Sequence, residues 1–156
     1  MKIHVRSLFG AAALIALLPL AVLAEALYPD VSRARADVEV AMREAANTHK
    51  RVLVDFGGNW CPDCKVLDIN LRKPEAAALL KAHYVLVHVN VGDKGISDNF
   101  QIAERYGIPL KKGVPALAVL ESDGRVVYSQ KNGEFESMRK LDPQAVSDFL
   151  KKWRKP

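Results

Sequence analysis

Apolar and polar residues alternate along this chain with two different periods, and the changes of period mark its elements. Between residues 32 and 50, Ala34, Val38, Ala41, Met42 and Ala45 share one helical face, while Arg33, Arg35, Glu39 and Arg43 lie off it. That spacing predicts an amphipathic helix. The run Val52-Leu53-Val54-Asp55-Phe56 is nearly all apolar and is closed by Gly57-Gly58-Asn59, the pattern of a buried strand running into a loop. Pro62 suits the first turn of a helix over residues 61–70, and Pro74 restarts a helix that continues to residue 83. Residues 84–91 are rich in β-branched side chains and read as a second strand. A turn over 92–95 leads to a short helix over 97–106 that Gly107 stops. Residues 116–120 and 125–129 read as two strands joined by a tight turn at Asp123-Gly124. Asp142-Pro143 opens a last helix, with Val146, Phe149, Leu150 and Trp153 on one face. Early strands joined through helices imply parallel crossovers, and the last two strands form a hairpin. The expected fold is α/β: a central mixed sheet of about four strands with helices on both faces.

The first 24 residues do not belong to this pattern. Lys2 and Arg6 precede an apolar run over residues 8–23, broken by Pro19 and followed by Ala24. This is the layout of a signal peptide cleaved near Ala24, leaving a domain over residues 25–156 in an exported, periplasmic setting. An uncleaved anchor is the alternative, but the run is shorter than the roughly 20 residues a spanning helix needs. No cysteine follows it, so a lipoprotein is not expected. Residues 25–31 read as an irregular lead-in.

Composition is that of a globular protein, with 49% apolar and 26% charged residues. The net charge is +5, two of the cations lie in the leader, and no dense Lys/Arg cluster exists. Nucleic acid is therefore not an expected partner. The cations around Trp153 lie at the end of the last helix, where they complement its dipole. His49 and His83 fall at helix ends and read as capping residues.

Only two cysteines are present, as Cys61-Pro62-Asp63-Cys64. A loop this short removes little unfolded-state entropy, so the pair is not a structural staple. Redox chemistry, metal binding and coincidence remain. Cys61 falls at a helix N-terminus, where unpaired N–H groups and the dipole favour a thiolate, the nucleophile of disulfide exchange. Cys64 lies one turn on and can close on Cys61. Cys61 is thus the expected attacking thiol and Cys64 the resolving thiol. Asp55 is an acid inside an apolar run. Burial there favours its protonated form and suits it to exchange a proton with Cys64; a solvated strand-end carboxylate is the alternative. Asp63 places a negative charge beside the thiolate and disfavours it.

Val54-Asp55-Phe56, Trp60-Cys61-Pro62-Asp63-Cys64-Lys65, Tyr106-Gly107-Ile108 and Gly113-Val114-Pro115 occur in this order. Together they resemble the thioredoxin superfamily, most closely its bacterial exported branch. The resemblance implies a thioredoxin-like fold and thiol–disulfide oxidoreductase activity, with no cofactor beyond the two cysteines. Pro115 matches the family's cis-proline, and Val114 the residue whose backbone binds an extended substrate; an ordinary trans proline is the alternative. Trp60 matches the tryptophan flanking the site, or else simply packs in the core. Asp55 matches the buried acid beneath the second cysteine. His88 stands where many members carry a lysine, and either tunes Asp55 or is a satisfied core histidine. The chain departs from the family pattern at Pro62-Asp63 and at Gly57-Gly58-Asn59, which suggests a more open rim. A longer loop over residues 109–112 is a third departure.

The expected function is an exported oxidoreductase acting on protein thiols and disulfides, as a reductant or isomerase rather than a strong oxidant. It would be recycled by a membrane or periplasmic redox partner, and a monomer is expected. The alternative is a soft-metal module that binds or delivers Cu(I) through the same two cysteines, with His88 the one nearby recruit.

Overall fold

The computed structural model describes residues 26–155; the leader expected over residues 1–24 lies outside them. Helix α1 (Ala34–Thr48) packs beside strand β1 (Arg51–Gly57). Helices α2 (Pro62–Leu71) and α3 (Pro74–His83) follow, then β2 (Tyr84–Asn90), α4 (Phe100–Arg105), β3 (Ala116–Leu120), β4 (Val126–Ser129) and α5 (Gln144–Trp153). The strands form one sheet in the order β2-β1-β3-β4. β1 and β2 are parallel, whereas β3 runs antiparallel to both β1 and β4. Parallel crossovers therefore stop at β2, and the passage through α4 reverses the chain.

The apolar run of β1 has the burial its composition predicts: every residue from Val52 to Gly57 is buried. Val52, Val54 and Phe56 belong to a core shared with Val38, Ala41 and Ala45 of α1 and Ala103 of α4. Leu53, with Leu117 and Val119 of β3, belongs to a second core. There it joins Leu67 and Leu71 of α2, Ala76 of α3, and Val146, Phe149 and Leu150 of α5. A strand covered on both faces needs apolar side chains at odd and even positions alike, which is why β1 does not alternate.

Several boundaries differ from expectation for local reasons. A 3-10 turn (Val31–Arg33), capped by Asp30 Oδ1 accepting from Ser32 N at 2.9 Å, precedes α1. α4 starts at Phe100 because Asn99 takes a left-handed conformation, with φ 57°. There its Nδ2 donates to Asn90 O at 2.7 Å and Val31 O at 2.9 Å. His49 does close α1, but through its backbone: it is left-handed and its N–H donates to Ala45 O. His83 lies in the last turn of α3. α5 starts one residue later than expected, with Pro143 rather than Asp142 at its N-cap; Asp142 Oδ1 accepts from Gln144 N at 2.8 Å just before it. Residues 130–141, which carry no periodic pattern, bury Phe135 and Met138 and include a 3-10 turn (Met138–Lys140).

Arg51 ties the start of β1 to the end of α5. It donates to Trp153 O at 2.7 Å and pairs with Glu121 at 2.8 Å. Lys151 of α5 pairs with Glu75 of α3.

α2 is seated on the sheet by Leu67, which is fully buried. Leu67→Ala should lower the unfolding free energy by about 2–5 kcal/mol, read as a shift of the urea midpoint with the slope unchanged.

Candidate active site

Cys61 is the N-cap of α2, in an extended conformation just before Pro62. Its Sγ accepts from Cys64 N at 3.1 Å and is bonded to Cys64 Sγ, with a Cα–Cα separation of 5.3 Å. The helix start therefore does what its sequence predicts: it aims a backbone donor and the positive end of the dipole at Cys61. Cys61 retains 3% of its surface and Cys64 none, so any approach to the pair is from Cys61.

The Val114–Pro115 peptide is cis. Val114 O lies 3.7 Å from Cys61 Sγ, so the backbone expected to bind substrate lies against the sulfur expected to attack. The buried side chain of Gln130 spans this segment from behind. Its Nε2 donates to Pro115 O and its Oε1 accepts from Leu117 N, each at 3.2 Å. Gln130 was not expected as a site residue, because it lies outside any periodic run.

Trp60 is partly buried and fixed: its Nε1 donates to Gly92 O at 2.7 Å. The glycines before it do not open the rim. Gly57 and Gly58 are both buried. A Cβ on Gly58 would meet Trp60 Nε1 at 2.5 Å, and one on Gly57 would meet Cys64 Sγ at 2.8 Å and collide with the Tyr28 hydroxyl. Their small size admits the indole and the phenol to the site. Asn59, beside them, holds the lead-in by two bonds: Tyr28 N donates to its Oδ1 at 3.0 Å, and its Nδ2 donates to Tyr28 O at 2.8 Å.

Asp55 is fully buried. The parallel register sets it opposite His88, and His88 Nδ1 lies 2.9 Å from Asp55 Oδ2. Tyr28 OH donates to the same oxygen at 2.6 Å. Oδ1 has no hydrogen-bond partner among the described residues. Burial, and next the charge of Asp55, push the Tyr28 phenol far above its usual range, so Tyr28 stays protonated and donates. The Tyr28 and His88 rings meet edge to face at 5.1 Å. His88 thus contacts Asp55, as one of its two readings required. Tyr28 had no sequence signal beyond being an aromatic residue in a short irregular lead-in.

Asp63 is not the isolated charge its sequence position suggests. Arg139 donates to it from its backbone N at 3.0 Å and from Nη2 at 3.0 Å. These bonds, and the guanidinium charge, hold the Asp63 carboxyl below the usual range. Asp63 is ionised, and a cation faces it, so its penalty on a Cys61 thiolate is partly offset. Pro62 is exposed at the mouth of the site. Among the described residues no group of three or more His, Cys, Asp or Glu gathers to hold a metal; His88 is committed to Asp55.

The family described as thioredoxin-like matches residues 33–122. A solved disulphide isomerase from Xylella fastidiosa Temecula1 is 37% identical, with a TM-score of 0.75 over 82% of this chain and 96% of that one. The C-terminal domain of DsbD from Neisseria meningitidis, in its oxidised form, shares the fold at 19% identity. Its TM-score is 0.54 over 83% of this chain and all of that one. A protein disulfide-isomerase of Ricinus communis is 29% identical over 113 residues, 72% of this chain. The chain spans only 20% of that relative's length. With its cis-Pro115, its Cys61–Cys64 disulfide and its mixed sheet, the chain belongs to the thioredoxin-like family.

Proposed function

We propose that this protein is an exported thiol–disulfide oxidoreductase that reduces or rearranges disulfides of exported proteins. The observation that carries the reading is the Cys61–Cys64 pair at the start of α2, with Val114 O beside Cys61. A backbone carbonyl next to the reactive sulfur suits an extended polypeptide better than a small metabolite. The name of the Xylella relative, a disulphide isomerase, supports the same class, and the basic and apolar pattern of residues 1–24 supports export.

In the reducing direction, the Cys61 thiolate attacks one sulfur of a substrate disulfide, and the other sulfur leaves as a thiolate. Cys64 then loses its proton and attacks Cys61 Sγ. The second substrate sulfur leaves, and Cys61–Cys64 is oxidised. Two electrons have passed to the substrate, so a dithiol partner at the membrane or in the periplasm must return them. No bound cofactor is needed, because the two sulfurs carry the electrons. The protein works as a monomer. The reductant or isomerase direction is favoured over strong oxidation because one of the two residues between the cysteines is an acid, Asp63, and neither is a cation.

Cys61→Ser should abolish insulin reduction, and Cys64→Ala should accumulate mixed disulfides with exported proteins, seen as adducts that dissolve in dithiothreitol. Retained activity in the first variant would overturn the reading. Export is checked by intact mass: secreted material should begin at Glu25.

The Asp63–Arg139 pair makes a signed prediction. Asp63→Asn should speed alkylation of Cys61 at neutral pH by about 2- to 5-fold, and Arg139→Ala should slow it by a similar factor. In the Asp63→Asn background, Arg139→Ala should have little further effect, since the two charges act as a pair.

A further inference from the structure

Each turnover moves a proton off Cys64 and later back, in a site closed to water. Cys64 and Asp55 both have no exposed surface. A carboxyl that takes the Cys64 proton must pass it on, or the next cycle starts with the wrong protonation. Two groups touch Asp55 Oδ2, and they are not equivalent. Tyr28 is 1% exposed, and its phenol holds its proton. The His88 side chain is 18% exposed. Both residues line a surface cavity of about 720 Å³, together with Leu27, Asp37, Glu44 and Arg72, but only His88 pairs appreciable exposure with a second ring nitrogen that can release a proton.

We propose that His88 is the proton exit of this site and Tyr28 its positioning residue: the proton of Cys64 passes to Asp55, then to His88 Nδ1, and leaves from His88 Nε2 into the cavity behind β2. The inference rests on the oxidoreductase reading above. Tyr28 fixes Oδ2 between two partners, and Oδ1 is left as the unpartnered oxygen of the carboxylate. When Cys64 is deprotonated the carboxyl is protonated. The ring, carrying its hydrogen on Nε2, accepts that proton at Nδ1 and releases the Nε2 hydrogen to water. Carboxylate and neutral imidazole are restored, and the reverse path returns a proton when the disulfide is reduced again. Imidazole suits this task because its two nitrogens can gain a proton on one side and lose one on the other.

Several charged groups surround this pair. Asp68 of α2 acts electrostatically on Tyr28 and is paired with Arg72 at 2.8 Å. Asp37 of α1 is paired with Arg33 at 2.9 Å, and Asp30 accepts from Ser32 N and Oγ. Glu44 of α1 also lines the cavity. Neither the strand neighbours of His88 nor those of Asp55 are charged: they are Val54, Phe56, Val87 and Val89.

The test separates the two sulfur steps. Reduced protein mixed with 5,5′-dithiobis(2-nitrobenzoate) releases one thionitrobenzoate when Cys61 attacks and a second when Cys64 resolves; Cys64→Ala isolates the first phase. His88→Gly should leave the first phase within about 2-fold and slow the second by at least about 10-fold. Added imidazole should restore the second phase. His88→Gln, which keeps a hydrogen-bonding side chain but offers no relay, should show the same slow second phase without rescue. Tyr28→Phe should move the rise of the second phase with pH to higher pH while sparing the first. A second phase unchanged in both His88 variants would overturn the proposal. So would equal slowing of both phases with no response to imidazole, which is the signature of a purely structural histidine. Failure of the oxidoreductase reading looks different: wild-type protein would show both phases with this reagent yet fail to reduce insulin.

Discussion

A carboxyl group in the middle of an apolar central strand constrains this site more than any other feature. Burying a charge or an unpaired polar group without partners costs several kcal/mol. Asp55 is fully buried in β1, so the fold must supply its partners. One comes from strand register, which sets His88 opposite it. The other comes from outside the sheet: Tyr28, carried in by a lead-in that asparagine side chains hold down. Asn59 binds both the N–H and the C=O of Tyr28, Asn90 donates to Pro29 O, and Asn99 donates to Val31 O. Gly57 then leaves the space in which Tyr28 and Cys64 come together. Sheet register, loop and lead-in all converge on a single carboxylate.

This dependence explains which parts of the site were legible in sequence. The strands, the helix opening at Pro62 and the two cysteines follow from periodicity and from local chemistry, which a linear string carries in full. The β1 run and the helix of Leu67 and Leu71 gave the sheet and the support of the site. Tyr28, Gln130 and Arg139 were invisible because each acts across a long sequence separation from an irregular segment. Tyr28 reaches Asp55, Gln130 clamps the backbone around Pro115, and Arg139 binds Asp63. No local pattern marks a residue whose role is set by what lies opposite it.

The same blindness distorted the electrostatics at Cys61. Read along the chain, Asp63 is a lone negative charge one residue from a catalytic helix start. In three dimensions it is also a docking point, because Arg139 brings the 3-10 turn after the hairpin up to the first turn of α2. The acid therefore has two effects of opposite sign: it repels a thiolate and recruits the guanidinium that mutes the repulsion. Ser137, Arg139 and Lys140 line a surface depression with Asp63, so the irregular segment that buries Phe135 and Met138 also reaches the first turn of α2.

The two glycines before Trp60 have a consequence for how such a protein can diversify. Their missing side chains are already occupied space, filled by the phenol, the indole and Cys64. The floor of the site is thus closed to drift, since any larger residue displaces a functional group. Pro62 and Arg139 are exposed beside the first turn of α2 and are not filled in this way. Selection for new partners would accumulate its changes there, leaving an inherited floor beneath a variable mouth.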